Sequence, residues 1–446
     1  MNNISLIDCT FRDGGYHNNW DFPEYLVTGY LAAMVAAKVD YVELGFRSFD
    51  VSSGFKGAFA YTTDNVIRSL GIPEDLSIGV MVNASEIVNH AQGTIEATKL
   101  LFAPKSESPV SLVRIACHFH EFERALLACD WLKGAGYKVG INLMQVADRS
   151  DEEISAIAKA ASHHPLDVLY FADSLGSMVS EQCSRIVHIL RAHWKGALGI
   201  HTHDNMGRAI ANTLQAVEGG VTWVDSTVTG MGRGPGNAQT EYMLIELEKY
   251  RKDWINMIPL LGLVKNYFQP LKDSCGWGVN PYYYLAGKYG IHPMYIQEML
   301  SDRRYSSEDI LSVIDHLSHE GGKKFSPTTL DAARHFYSGD PRGEWEPETV
   351  IEGKEVLIIG SGPSAANHRT AIEAYIRNNK PYVIALNTQI TVDESLIDIR
   401  TACHPVRLLA DCAAYFKLPQ PLAIPASMLP NTVSDAFNGM NCWILV

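Results

Sequence analysis

"ISLIDCTFRDGG", residues 4 to 15, carries a short apolar run straight into three charges, Asp8, Arg12 and Asp13, and a pair of glycines. A strand that merely surfaced could end this way, so the cluster gains meaning only from its surroundings. Similar β-rich runs recur seven more times, as YVELG (41–45), SIGVMV (77–82), SLVRIA (111–116), KVGINL (138–143), DVLYFA (167–172), ALGIHT (197–202) and TWVDST (222–227). Between them lie segments such as FPEYLVTGYLAAMVAAK (22–38) and NMGRAIANTLQAVEGG (205–220), whose apolar residues recur at three- and four-residue spacing and which end at Lys or Gly, as helices do. Eight β/α units in about 245 residues is the size of a TIM (β/α)8 barrel. Active sites of such barrels lie at the C-terminal ends of the strands, and "DCTFRDGG" is the end of the first. The same rule selects Glu43, "HFH" (118–120), "DSLG" (173–176), "HTHDN" (201–205) and "GMGRGPGN" (230–237).

A chain of 446 residues exceeds what one core usually serves, so further domains are expected. The barrel is assigned to residues 1–250 and a helical extension to 251–337, with "WGVNPYYYLAGKYGIHPMYIQEML" (277–300) broken by prolines. A polar linker, "SGDPRGEWEPETVIEGKE" (338–355), precedes a small Rossmann-like α/β domain at 356–446. The chain closes on the apolar "CWILV", which implies a buried last strand or an incomplete domain.

The formal net charge is -13 and Lys and Arg form no cluster in the sequence, which argues against nucleic acid as a partner. No basic segment leads into an apolar stretch at the start, and no run of about 18 apolar residues occurs, so no membrane association and a cytoplasmic location are expected. The eight cysteines contain no CxxC and read as buried thiols. We expect a homo-oligomer acting on small molecules.

"HTH" puts His201 and His203 on one side of an extended strand, where two imidazoles either bind one divalent metal or form a hydrogen-bonded pair. His118 and His120 compete for the same reading. Asp13 favours the first pair, because a carboxylate at the first strand end and imidazoles at the seventh converge over the barrel mouth. Mixed oxygen and nitrogen ligands with open positions suit Mg²⁺, Mn²⁺, Zn²⁺ or Co²⁺. Such a metal could chelate a 2-oxo acid and, as a Lewis acid, stabilise the enolate left when a C–C bond breaks. Arg12 would add a fixed positive charge at the same oxygen.

"DCTFRDGG", "VELGF", "VRIACHFHE", "FADSLGSM", "HTHDNMGRAIANTLQAVEGG" and "VDSTVTGMGRGPGNAQTE" together resemble the DRE-TIM metallolyases, most closely the 4-hydroxy-2-oxovalerate aldolases, over roughly residues 3 to 250 and more weakly to about 320. The resemblance implies that Asp13, His201 and His203 hold the metal, foremost Mn²⁺ or Mg²⁺, with Asn237 as a fourth ligand. It implies that Arg12 steadies the enolate, that Glu43 orients Arg12, and that Ser174 meets the substrate carboxylate, with His118 and His201 as further substrate contacts. The implied substrates are a 2-oxo acid such as pyruvate and an aldehyde. The sequence departs from the family in one place: the aldolases carry a histidine four residues after the arginine, where this chain has Tyr16, with His17 one further. His17 is the expected base, since an imidazole near pKa 6.5 exchanges protons at neutral pH and a phenol near 10 does not readily do so. The family also places a tyrosine from the helical segment over the site. Of Tyr282, Tyr283 and Tyr284, Tyr282 is the expected one.

Two other functions remain open on sequence. One is a Claisen-type condensation of an acyl-CoA with a 2-oxo acid, which the aldolase-like motifs disfavour. The other is a nucleotide- or nucleotide-sugar-binding protein with an inactive barrel. In the tail, "GSGPSA" after a strand fits G-x-G-x-x-A, with Gly360, Gly362 and Ser364 as candidate phosphate contacts. Asn387 stands where a dinucleotide site would carry an acid, so NAD is not expected, and the loop is more similar to that of sialyltransferase-like domains. A structural glycine turn is the competing reading.

Overall fold

Fully buried parallel strands read as continuous apolar runs, and each of the eight runs becomes a strand within one or two residues of its expected bounds. The computed structural model describes residues 4–49, 56–251, 254–302, 305–326, 329–330, 343, 345–360, 362–388, 391–429, 431–437 and 442–444. The strands are β1 (Ser5–Asp8), β2 (Tyr41–Phe46), β3 (Ser77–Asn83), β4 (Leu112–Cys117), β5 (Lys138–Leu143), β6 (Val168–Asp173), β7 (Ala197–Thr202) and β8 (Trp223–Ser226). They pair in sequence order into a closed barrel, shut by β8 against β1 with Leu6 opposite Val224 and Asp8 opposite Ser226.

Alternation along each strand sorts the interior into layers. Ile7, Tyr41, Leu112, Val168 and Tyr170 form an apolar cluster deep in the barrel. Two residues further along their strands stand Glu43 and Arg114, level with Asp225, all buried. Above these lies the mouth.

Beyond the barrel, helices Ile258–Leu263 and Pro281–Lys288 each carry Pro in the first turn. The missing N–H of proline costs nothing there, so these prolines start helices instead of breaking them. Two compact units result: residues 1–301 with 321–325, and residues 302–320 with 326–446. The helical stretch after the barrel is thus shared between the units. Residues 338–342 and 344, the start of the expected linker, lie outside the described residues.

The second unit holds a parallel sheet of β9 (Val356–Ile359), β10 (Tyr382–Leu386), β11 (Ile399–Thr401), β12 (Leu422–Ile424) and β13 (Cys442–Ile444), in the order β13-β12-β11-β10-β9. The separate α/β domain is therefore present. Its strand order is strictly sequential among the described residues, without the reversal that makes the ligand crevice of a doubly wound sheet. Cys442–Ile444, the described part of "CWILV", forms β13, paired with β12. Among the described residues no helix is long and apolar enough to cross a membrane.

Candidate active site

The charges that follow β1 divide into a structural one and two that reach the mouth. Asp8 is buried and accepts from Thr10 N (2.8 Å), Thr10 Oγ1 (2.5 Å), Tyr30 OH (2.5 Å) and Thr240 Oγ1 (2.6 Å). Burial raises its pKa, and these donors pull against that rise. So fastened, the chain turns into a single helical turn, Thr10–Gly14, in which Arg12 and Asp13 are both buried.

Asp13, His201 and His203 bring their ligating atoms within 4.8 Å of one another, and theirs is the one such group among the described residues. Asp13 Oδ2 lies 3.4 Å from His201 Nε2 and accepts from Asn237 Nδ2 at 2.5 Å. Asn237 Oδ1 and His203 Nδ1 are buried with no hydrogen-bond partner. Gly232 makes room for this approach, since a Cβ there would stand 2.5 Å from Asn237 Oδ1 and 3.2 Å from Asp13 Oδ2. Orphaned donor atoms beside a carboxylate and two imidazoles fit a divalent cation. Burial works against the Asp13 carboxylate, but Arg12, the His201 hydrogen bond and His203 hold its pKa well below the usual range. Burial keeps His203 neutral, as a ligand must be.

Behind the ligands runs a chain of alternating buried charges. Arg12 Nη1 pairs with Asp13 (3.0 Å) and Arg12 Nε donates to Glu43 (2.7 Å). Arg114 grips Glu43 with Nε and Nη2, both at 2.7 Å, and Asp225 with Nη1 at 2.9 and 2.7 Å. His201 Nδ1 donates to Asp225 at 2.9 Å, which leaves Nε2 facing Asp13. A carboxylate behind a ligating histidine fixes its tautomer and its direction. Burial disfavours ionised Glu43 and Asp225, yet the paired cations hold both pKa values below normal. Three carboxylates against two guanidiniums leave one negative charge uncompensated when the imidazoles are neutral, and a divalent cation reverses it.

The cavity above is small, about 70 Å³, and is lined by Arg12, Asp13, Tyr16, Asn83, Asn142, Ser174, His201, His203 and Arg233 among others. Arg12 Nη2 is buried without a partner. Ser174 lines the wall and its Oγ accepts from Gln145 N at 3.0 Å. Glu43, expected at a strand end, sits inside the barrel one layer down, where it holds Arg12.

Two of the expected residues stand outside this cavity. His17 does not line the cavity: its Nε2 is hydrogen-bonded to the Gly232 carbonyl at 2.8 Å and its ring lies against Trp277. Tyr16 takes the lining position, braced edge-on by Trp20 at 4.8 Å, and burial raises its pKa. Tyr282 does not line the cavity either. Asn280 caps its helix by accepting from Tyr282 N and Tyr283 N, a phase that buries Tyr283 and leaves Tyr282 half-buried.

His118 lines a neighbouring, larger cavity with His120, whose side chain is 73% exposed. In the second unit Gly360 is half-buried and Gly362 and Ser364 are exposed. They line none of the cavities described here, the helix that begins among them, Pro363–Asn367, has five residues, and Ser361 lies outside the described residues.

Barrel and site together define the DRE-TIM class of lyase and aldolase domain, as the motifs implied. Residues 3–260 match the HMGL-like family, and the chain belongs to it. It is 27% identical over 373 residues to 4-hydroxy-2-oxovalerate aldolase 2 of Rhodococcus opacus, covering 83% of this chain and 96% of the relative. It is 23% identical over 333 residues to oxaloacetate decarboxylase of Mycobacterium tuberculosis, covering 73% and 94%. Among solved structures, the N-terminal domain of a candidate aldolase from Bacteroides vulgatus superposes with a TM-score of 0.61 at 30% identity, covering 69% of this chain and 99% of that one. The carboxyl transferase domain of Rhizobium etli pyruvate carboxylase shares the fold at TM-score 0.56 and 14% identity, covering 75% and 60%.

Proposed function

We propose that the barrel is a divalent-metal-dependent aldolase that makes or cleaves the C–C bond between a 2-oxo acid, pyruvate being the simplest, and an aldehyde. The observation that carries this reading is the pairing of the Asp13, His201 and His203 cluster with the unpartnered, buried Nη2 of Arg12 in one cavity. Asp13, His201 and His203 would hold the cation, with the orphaned Asn237 Oδ1 beside them, and the bound cation would supply Lewis-acid polarisation of the 2-oxo acid. Arg12 is a preorganised donor: Glu43 and Asp13 lock two of its nitrogens, and the third, buried and unpartnered, would donate to the oxygen on which enolate charge develops. Ser174 stands on the wall that the substrate carboxylate meets.

In the bond-forming direction pyruvate C3 loses a proton to solvent, its electron pair forms the bond to the aldehyde carbon, and the aldehyde oxygen takes up a proton from a donor that solvent then reprotonates. Nothing is oxidised or reduced. Tyr16, held protonated by burial, is placed to give that last proton, and His17 fixes the loop through the Gly232 carbonyl. The parity of the inward-facing chain adds Asn83 and Asn142, whose amides line the same wall.

The test needs no aldehyde. Full-length protein loaded with Mn²⁺ or Mg²⁺ exchanges the C3 protons of pyruvate for solvent deuterium, followed by NMR, and absence of exchange with every divalent metal tried refutes the reading. Thiol release from an acyl-CoA and a 2-oxo acid would instead assign the barrel to Claisen condensation.

A further inference from the structure

The larger cavity beside the catalytic one, about 590 Å³, shares Ser174, Met144 and Arg233 with it, so one molecule can occupy both. Its charge is out of keeping with the chain. In a protein of formal net charge -13, this wall gathers Arg149, Arg233, Lys323 and Lys324, with His118, His120 and His292, around a single carboxylate, Glu121. Glu121 is itself buried and accepts from His118 N at 2.9 Å.

Two of the cations have acid partners: Lys323 pairs with Asp148 at 2.8 Å and Arg149 with Glu153 at 3.1 Å. Arg233 and Lys324 have no ion-pair partner among the described residues. Arg233 Nη2 donates to the Ser174 carbonyl at 3.1 Å, while its Nε is buried with no acceptor at all. A buried guanidinium nitrogen without an acceptor is costly unless a ligand supplies one. The segment that brings Lys323 and Lys324 to the cavity is fastened at three points. His292 N donates to the Gly322 carbonyl (2.8 Å), Gln145 Nε2 to the Lys323 carbonyl (3.0 Å) and Tyr295 OH to the Lys324 carbonyl (2.9 Å). Gln145 adopts the left-handed backbone conformation, φ 56°, at the turn from which it reaches across.

We infer that the aldehyde partner carries an anionic group, a phosphate at the end remote from its carbonyl, seated between Arg233 and Lys324 with Arg149 and Lys323 at the rim. This rests on the aldolase reading and adds the substrate class to it. A small uncharged aldehyde would use neither the volume, which falls within the range of pockets for whole metabolites, nor the positive field. That field also shows at His292, whose pKa burial and Arg233 together push down to about 3.

Two measurements on the full-length, metal-loaded protein test it. Glycerol 3-phosphate, which has the phosphate but no aldehyde, should bind in calorimetry where glycerol does not, and Lys324→Met should weaken it about tenfold or more, the worth of one charge-assisted hydrogen bond. With pyruvate as nucleophile, kcat/KM should favour glyceraldehyde 3-phosphate over glyceraldehyde by about a hundredfold, two such bonds, and Lys324→Met should shrink that ratio. Absence of glycerol 3-phosphate binding, an equal kcat/KM for the two aldehydes, or a ratio unmoved by Lys324→Met overturns the proposal. Binding of coenzyme A but not of glycerol 3-phosphate also overturns it, by giving the cations to a thioester. Should glycerol 3-phosphate bind while pyruvate exchange is absent, the aldolase reading fails and the anion seat stands by itself.

Discussion

Replacing Arg114 by Met strikes the point where fold and chemistry meet. The guanidinium is wholly buried and donates to both oxygens of Glu43, both oxygens of Asp225 and the sulfur of Cys9. Methionine fills much of the space and leaves two buried carboxylates, Glu43 with only Arg12 and Asp225 with only His201. Breaking a buried ion pair by removing one partner costs about 3–5 kcal/mol. Each carboxylate can escape by taking up a proton, which at pH 7 caps its share at about 4 kcal/mol, from the distance between pH 7 and a normal carboxylate pKa. A loss of about 3–5 kcal/mol lowers Tm by roughly 6–20 °C for a barrel of this size. In the wild type both carboxylates have lowered pKa values, so their contribution is fully present above about pH 4 and is lost only below it. In the variant the stranded carboxylates carry raised pKa values, a cost that shrinks as pH falls from 7 to about 4, so the Tm gap narrows across that window. His201 meanwhile loses a firmly held Asp225, and Mn²⁺ affinity should fall about 10- to 100-fold, as for other partners behind metal ligands. Calorimetric melts between pH 4 and 8 and a competitive Mn²⁺ titration measure the two effects. Arg114→Lys should fall between, because an ammonium cannot grip two carboxylates with two bonds each. A Met variant melting within about 2 °C of wild type, the shift of under 1 kcal/mol, with Mn²⁺ affinity intact, would refute the reasoning.

Asp13→Ala and His201→Ala should each abolish stoichiometric metal in elemental analysis of the folded protein, and unchanged metal content would move the site elsewhere. Arg12→Ala should retain metal while pyruvate deuterium exchange falls by roughly 10²- to 10³-fold, the worth of one oxyanion donor. Tyr16→Phe should slow aldol turnover by about 10²-fold or more, with His17→Ala the milder variant; the reverse order would return the proton-transfer role to His17. Burial lifts the Asp173 carboxyl to about 7 against the donors Ser177 N and Met178 N. A raised carboxyl pKa means stability is fullest below about pH 4 and declines as pH rises to 7, so denaturant melts should show wild type losing up to about 4 kcal/mol relative to Asp173→Asn across that window.

The barrel was legible because a strand buried on both faces reads as a largely apolar run, and KVGINL and ALGIHT mark their strands to the residue. Strand order in the second unit was not, since it depends on pairings between β10, β11 and β12 that no local pattern encodes. The division of the helical stretch near residue 301 was hidden for the same reason. Which helix joins which core is decided by partners far away in sequence.

At the site, period two carried His201 and His203 to one face, and the same rule, pressed further, reaches what was missed. Asn83, Asn142 and Met144 share the inward parity of their strands and line the cavity. Arg114 in SLVRIA and Asp225 in TWVDST are single charges inside runs that the barrel buries, and a charge that cannot surface must find a buried partner. What no spacing rule reaches is rotation within one short turn. Tyr16 and His17 share the turn Gly15–His17, and the chemistry of the side chains favoured the imidazole, yet the Gly232 carbonyl and Trp277 draw His17 away while Trp20 braces Tyr16 at the wall. A pKa says which group suits a proton transfer at neutral pH. Packing says which one is there to perform it, and in this loop the two answers differ.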